Sequence, residues 1–160
     1  MALIVETGAI VANSNSYIST TNFETYATAR SYTLVSGAET LLVQAMDWLE
    51  SQVFKGVQFT RDQSLVWPRI GVYVDGYLVN STEIPQELIN AQCEVAMAID
   101  AGYGPLADIA RAVAREKVGP LEVEYSSSAA PFVVNRKIQN ALWKLLANGH
   151  GGNILSVGKW

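Results

Sequence analysis

The sequence is poor in the residues from which most reactive sites are built. Among its 160 residues it holds one cysteine, Cys93, and one histidine, His150. A single cysteine excludes an intramolecular disulfide and any metal site made of several cysteines. Cys93 falls within an apolar helical pattern, which predicts a buried structural thiol. His150 lies among glycines without a cysteine or acid at ligand spacing, so we predict no enzyme and no metal or cofactor site.

Charge is scarce as well, because Asp, Glu, Lys and Arg make up 16% of the chain against 49% hydrophobic residues. The net charge of −4 has the opposite sign from that usual in proteins that bind the nucleic-acid backbone. The composition fits either a surface rich in Ser, Thr and Asn or a surface partly covered by partners. No apolar run reaches the ~18 residues of a membrane-spanning helix, and no secretory pattern is present, so we expect a protein that stays in the cytoplasm without membrane contact.

Apolar residues recur at three- and four-residue spacing in three stretches, which is the pattern of helices packed on a core. These stretches lie near 38–54, 85–101 and 134–147, and a short helix is expected before them, from about 21 to 30. We therefore predict a mainly α fold: a small bundle of three or four helices with one or two projecting β-hairpins and extended N- and C-terminal arms.

The first hairpin is predicted near 72–79, where Asp75-Gly76 joins two short β-prone runs and is typical of a two-residue turn. The second is predicted near 112–125, with Gly119-Pro120 as its turn. In that register Lys117 faces Glu122, Arg115 faces Glu124, and Val118 pairs with Leu121, so opposite charges meet across the strands. A looser loop between extended pieces is the alternative for this segment.

The chain is predicted to form one domain, residues 21–149, between an N-terminal arm, 1–20, and a C-terminal tail, 150–160. Both ends contain glycine and apolar residues outside the periodic segments, so we expect residues 1–16 and 150–160 to add little to the core and to dock on partners. The tail alternatively folds back onto the chain's own core. The candidate partner-binding residues are Leu3, Ile4, Val5, Ile154, Leu155, Val157, Lys159 and Trp160 at the ends, and Arg115, Lys117, Glu122 and Glu124 on the second hairpin.

An aromatic residue beside a cation supplies the elements of single-stranded DNA binding, and the chain offers them at Trp67 with Arg69 and at Lys159 with Trp160. Bases stack on aromatic rings and cations contact phosphates in such proteins. Two isolated pairs on an acidic protein do not make a basic groove, so DNA binding is the weaker of the two functional interpretations that the residues leave open.

Four sequence motifs, in order along the chain, resemble the small phage and prophage proteins of the DnaT-like single-stranded DNA-binding family. They are Met1 to Gly8 with Asn15-Ser16-Tyr17, then Trp67 to Val72, then Ile84-Pro85, and last Glu116 to Tyr125. In size and helix content such proteins are similar to the head–tail adaptor, or head completion, proteins of tailed bacteriophages.

The resemblance implies a structural connector of the virion neck that joins the portal protein to tail or neck proteins. It implies a homo-oligomeric ring, with a dodecamer expected, through which genomic DNA passes without specific binding. The alternative function is a single-stranded DNA-binding accessory protein of phage replication, in which Trp67, Arg69, Lys159 and Trp160 supply stacking and charge.

Overall fold

Four helices frame the protein in the computed structural model, which describes residues 2–102, 116–118, 121–123 and 136–147. They are α1 (Thr20–Thr28), α2 (Ala38–Glu50), α3 (Gln86–Asp100) and α4 (Arg136–Leu142). The helices predicted near 38–54 and 85–101 are confirmed, and α4 occupies part of the stretch predicted at 134–147. A small helical bundle with hairpins is therefore confirmed as the architecture of the described residues.

Helix α3 forms the centre of the core, because all residues from Ala91 to Met97 are buried. It packs against α2 and α4, while α1 contacts both α2 and α3. Burying a large apolar side chain contributes roughly 1.5–3 kcal/mol. The largest fully buried apolar side chains are Phe23, Leu42, Leu49, Trp67, Leu88, Leu142 and Leu145.

The structure confirms the predicted place of the one cysteine in this core. Cys93 is completely buried on α3, and this burial raises the pKa of its thiol to about 12. The thiol therefore stays protonated at neutral pH and behaves as a small apolar side chain.

The described strands form three two-stranded antiparallel pairs. The first pair, β1 (Val57–Gln58) with β2 (Arg69–Ile70), was not predicted from the sequence. Gly56 precedes β1 with a φ of +68°, and a Cβ there would lie 2.3 Å from the carbonyl oxygen of Ile70. Only glycine allows the two segments to approach so closely.

The hairpin predicted near 72–79 is confirmed as β3 (Tyr73–Val74) and β4 (Tyr77–Leu78). Its turn residues Asp75 and Gly76 have φ values of 51° and 86°, as a type I′ turn requires. Asp-Gly is among the residue pairs that favour this turn, which explains why the sequence pattern was informative here.

The second hairpin is confirmed in its register, which pairs β5 (Glu116–Val118) with β6 (Leu121–Val123). Lys117 lies opposite Glu122 and Val118 opposite Leu121, as the charge pattern predicted. Arg115, Glu124 and the Gly119-Pro120 turn lie outside the described residues.

The N-terminal segment contradicts the expectation that residues 1–16 add little to the core. Ser16 is completely buried, and Glu6 is 1% exposed. The backbone N–H of Tyr17 donates to Gln92 Oε1 at 2.9 Å, and Gln92 Nε2 donates to Ser16 Oγ at 2.9 Å and to the carbonyl oxygen of Leu42 at 3.2 Å. The amide of α3 thus joins the segment to α2, and all its hydrogen bonds lie within the protein.

A single buried carboxylate gives this irregular segment its shape. Glu6 accepts hydrogen bonds from the backbone N–H groups of Gly8, Ile10 and Val11 at 2.7–3.0 Å and from Ser14 Oγ at 3.3 Å. Bonds to a charged group contribute about 1.5–3 kcal/mol each when buried. Residues 2–18 therefore form an ordered loop on the body of the protein, and the predicted arm is part of the fold.

Candidate functional site

Trp67, the first aromatic candidate for base stacking, belongs to the core. Its side chain is 0% exposed, and its ring meets the ring of Phe54 edge-on, with 6.1 Å between the centroids. The backbone N–H of Trp67 donates to the hydroxyl of Tyr17 at 3.2 Å. A ring with no free face cannot stack on a base, so the sequence-based assignment of Trp67 to DNA binding is wrong.

Arg69, the cation beside it, is used to hold the backbone together. Its guanidinium donates to four carbonyl oxygens, those of Phe54, Lys55, Gly56 and Val66, at 2.7–3.4 Å. Burial lowers the pKa of Arg69, but a guanidinium stays charged under any ordinary condition. Four of its five N–H donors are already used by backbone oxygens, so Arg69 is poorly suited to the predicted phosphate contact.

A partly buried acid completes the surroundings of Trp67. The carboxylate of Glu50, at the end of α2, accepts the backbone N–H of Val66 at 3.1 and 3.2 Å and the hydroxyl of Tyr17 at 3.5 Å. Burial raises the pKa of Glu50 and of Tyr17 above their ordinary values. This network positions residues 66–69 and has a structural role.

The segment that Arg69 holds also fixes the residues that follow α4. Backbone bonds run from Lys55 N to Leu145 O and from Ala147 N to Val53 O, both at 2.9 Å. The ammonium of Lys55 donates to the carbonyl oxygen of Lys144 at 2.7 Å. Residues 143 and 144 therefore stand at a defined place on the surface.

At this place an exposed aromatic ring lies beside a cation. The side chain of Trp143 is 47% exposed, and the Lys144 ammonium lies 5.8 Å from the centre of its ring. The same ammonium donates to Asp75 Oδ2, in the turn of the β3–β4 hairpin. This hydrogen bond raises the pKa of Lys144, so the side chain remains a cation. The hairpin turn and the end of α4 thus meet through one ion pair.

The hairpin carries an exposed aromatic side chain, Tyr77, two positions after Asp75. Cross-strand partners share a face of a sheet, and Tyr77 pairs with Val74, which packs against the core. Tyr77 therefore stands on the face turned toward the body, yet it is 80% exposed because it lies next to the turn. Tyr73 is 58% exposed on the opposite face, where it pairs with Leu78. We refer to Asp75, Tyr77, Trp143 and Lys144 as the hairpin-tip surface.

A groove elsewhere on the protein is less suited to a polyanion. It lies between the end of α1 and the start of α2 and has a volume of about 500 Å³. Glu24 is the one charged residue in its lining, which otherwise includes Thr28, Ser31, Tyr32 and Leu34. Among the described residues no group of His, Cys, Asp and Glu could hold a metal ion, and none of the described helices could cross a membrane.

The predicted partner-binding residues are only partly covered by the described residues. Leu3, Ile4 and Val5 are half-buried, and Leu3 packs against the core. Lys117 and Glu122 are paired positions of the β5–β6 register. The remaining candidates lie outside the described residues: Arg115, Glu124, Ile154, Leu155, Val157, Lys159 and Trp160.

The hairpin-tip surface was not predicted from the sequence. Trp143 and Lys144 lie between the apolar positions 138, 141, 142, 145 and 146 that define the buried side of the last predicted helix. A tryptophan that falls off such an apolar stripe, next to a lysine, is a local indication of an exposed aromatic–cation pair. No sequence pattern joins this pair to Asp75, which lies 69 positions away.

Comparison with known families establishes what the chain is related to. A family model described as "Putative DnaT-like ssDNA binding protein" matches residues 1–158, nearly the whole chain. The chain belongs to this DnaT-like family. No curated protein and no solved structure matches it significantly.

The family match corrects the interpretation of the chain as a head–tail connector. The family is described as DNA-binding, which conflicts with a virion neck and connector assignment, and nothing in the match points to such proteins. The description agrees better with the alternative drawn from the sequence, a single-stranded DNA-binding protein. The oligomeric ring, the portal and tail partners and the virion location are tested neither by the described residues nor by the comparisons.

Proposed function

We propose that this protein binds single-stranded DNA and that the hairpin-tip surface contacts the strand. Bases stack on Trp143 and Tyr77, and the ammonium of Lys144 contacts a neighbouring phosphate. The observation that carries the proposal is the half-exposed ring of Trp143 with the Lys144 ammonium 5.8 Å from its centre, on a chain that belongs to a family described as binding single-stranded DNA.

The exposure of the two rings supports stacking. A base needs one open face of an aromatic ring, and stacking on such a ring contributes about 1–3 kcal/mol per base without regard to its identity. Trp143 and Tyr77 are 47% and 80% exposed, whereas Trp67 has no open face. The backbone that follows Trp143 is also held in place, because Lys55 N donates to the carbonyl oxygen of Leu145.

The charge of the protein sets the expected character of the binding. A net charge of −4 repels DNA over long range, so long-range attraction does not add to the affinity. Affinity therefore comes from local contacts. Neutralising one phosphate with Lys144 gives a slope of log K against log salt of about −0.7 for single strands. We expect weak, sequence-tolerant binding with a shallow dependence on salt.

The test is fluorescence anisotropy of a labelled oligo(dT) over a salt series, with the full chain and matched variants. Trp143→Ala and Tyr77→Ser should each weaken binding by about 1–3 kcal/mol, since each removes a stacking surface. Lys144→Gln should weaken binding and make the salt slope shallower by about 0.7.

The controls come from the same chain. Tyr73→Ser removes an exposed tyrosine from the opposite face of the same hairpin, and Arg61→Gln removes an exposed cation from the loop between β1 and β2. Both should bind like the wild type. Absence of binding by the wild type at low salt, or equal losses in the Tyr73 and Tyr77 variants, would contradict the proposal.

A further inference from the structure

The hairpin-tip surface contains an anion of its own at the place where the phosphate would bind. Asp75 Oδ2 accepts a hydrogen bond from the Lys144 ammonium, and both side chains reach solvent, with 60% and 32% exposure. The negative charge of Glu87 also acts on Lys144. The one cation of this surface is therefore already paired with a carboxylate.

The conformation of the turn does not require that carboxylate. Residue 75 has a positive φ, and asparagine adopts this conformation in type I′ turns as readily as aspartate, with Asn-Gly a favoured pair. The geometry of the hairpin is thus compatible with an uncharged side chain of the same shape. What the acid adds at this position is its charge, which is directed at Lys144.

We propose that Asp75 is an internal competitor of the DNA phosphate for Lys144 and lowers the affinity of the hairpin-tip surface for single strands. The inference rests on the proposed function and adds to it how binding at that site is restrained. A phosphate reaches Lys144 only by displacing the carboxylate, so each binding event breaks one ion pair and forms another. Base stacking on Trp143 and Tyr77 then supplies the net favourable free energy of binding.

Asp75→Asn removes the competitor while preserving the turn. Exposed ion pairs contribute little free energy, so we expect affinity for oligo(dT) to rise about two- to fivefold at low salt. The gain should shrink as salt is added, since salt screens an exposed pair.

The matched control is Asp62→Asn, which makes the same change of net charge at an exposed position in the loop between β1 and β2. It should change affinity clearly less than Asp75→Asn. In a Lys144→Gln background Asp75→Asn and Asp62→Asn should change the affinity for oligo(dT) equally, because no ammonium remains for the Asp75 carboxylate to pair with.

The result that overturns the inference is an equal effect of the two Asp variants on the Lys144-containing protein. That outcome is separate from failure of the proposed function, which is read from Trp143→Ala against the wild type. If wild-type binding depends on Trp143 while the Asp75 and Asp62 variants are equivalent, the function stands and the competitor does not. If no variant binds the oligonucleotide, both proposals are overturned.

Discussion

Trp67 and Trp143 each have a cation within two positions, and their surroundings differ in every other respect. Trp67 is fully buried, and Arg69 donates to four backbone carbonyl groups. Trp143 is half exposed, and the Lys144 ammonium bonds to one exposed carboxylate. The first pair stabilises the fold, whereas the second presents an open ring and an exchangeable charge.

The difference between these two regions shows which property separates a structural pair from a binding pair. An aromatic residue beside a cation is found in both environments, so the residue types alone do not distinguish a structural pair from a binding pair. The two kinds of pair differ in whether the ring has an open face and in how many hydrogen bonds the cation has already formed. A cation with one exchangeable partner is available for a ligand, while a guanidinium satisfied by backbone oxygens is not.

The largest expected difference between the two regions is in stability. Trp67→Ala should lower the free energy of unfolding by about 3–5 kcal/mol, because it leaves a cavity beside Phe54 in the core. Trp143→Ala should lower it by less than about 1 kcal/mol, because the ring is half exposed. Urea denaturation of both variants, followed by circular dichroism, measures the two effects.

Similar losses of stability in the two tryptophan variants would contradict the distinction between a structural Trp67 and an available Trp143. Such a result would mean that Trp143 is part of the core and is not available to a ligand. Tyr73→Ser serves as the reference for an exposed aromatic residue and should remain within about 0.5 kcal/mol of the wild type.

A smaller effect distinguishes the two regions by their dependence on pH. Burial raises the pKa of Glu50, beside Trp67, above its ordinary value of 4.5, so the folded protein holds this proton more tightly than the unfolded chain does. The stability that this group contributes is therefore complete below about pH 4 and is lost as the pH rises through the folded-state pKa.

Glu50→Gln removes this titration. The free energy of unfolding of the wild type minus that of the variant should decrease as the pH rises above about 4, as measured by urea denaturation at each pH. Glu83→Gln, which replaces an exposed glutamate, is the control for loss of a carboxyl group. A difference that stays constant with pH would show that Glu50 does not couple to folding.

Local patterns in the sequence were sufficient for the helices and the hairpins. The apolar spacing of residues 38–54 and 85–101 predicted α2 and α3, because a helix that packs on a core repeats its buried face every three to four residues. Asp75-Gly76 predicted the β3–β4 hairpin because few residue pairs adopt the required positive φ values. Lys117 opposite Glu122 followed from the turn assumed for the second hairpin.

Features that depend on distant contacts were not predicted. The sequence around Gly8 is typical of a flexible polar run. In the structure a Cβ at Gly8 would lie 2.0 Å from the carbonyl oxygen of Thr82, so the close approach of these segments requires glycine. In the sequence Glu6 only follows a short apolar run. In the structure its carboxylate accepts backbone N–H groups of the loop that follows and so determines the shape of that loop. The burial of Trp67 likewise depends on Phe54 and Tyr17, which the sequence alone does not bring together.

Photo-crosslinking tests most directly the claim that the exposed pair, and not the buried one, meets DNA. The full-length protein is irradiated with an oligonucleotide that carries 5-iodouracil, and crosslinked peptides are mapped by mass spectrometry. We predict adducts at Trp143 and Tyr77, none at Trp67, and loss of the main adduct in Trp143→Ala. Adducts that avoid residues 77 and 143 would contradict the account.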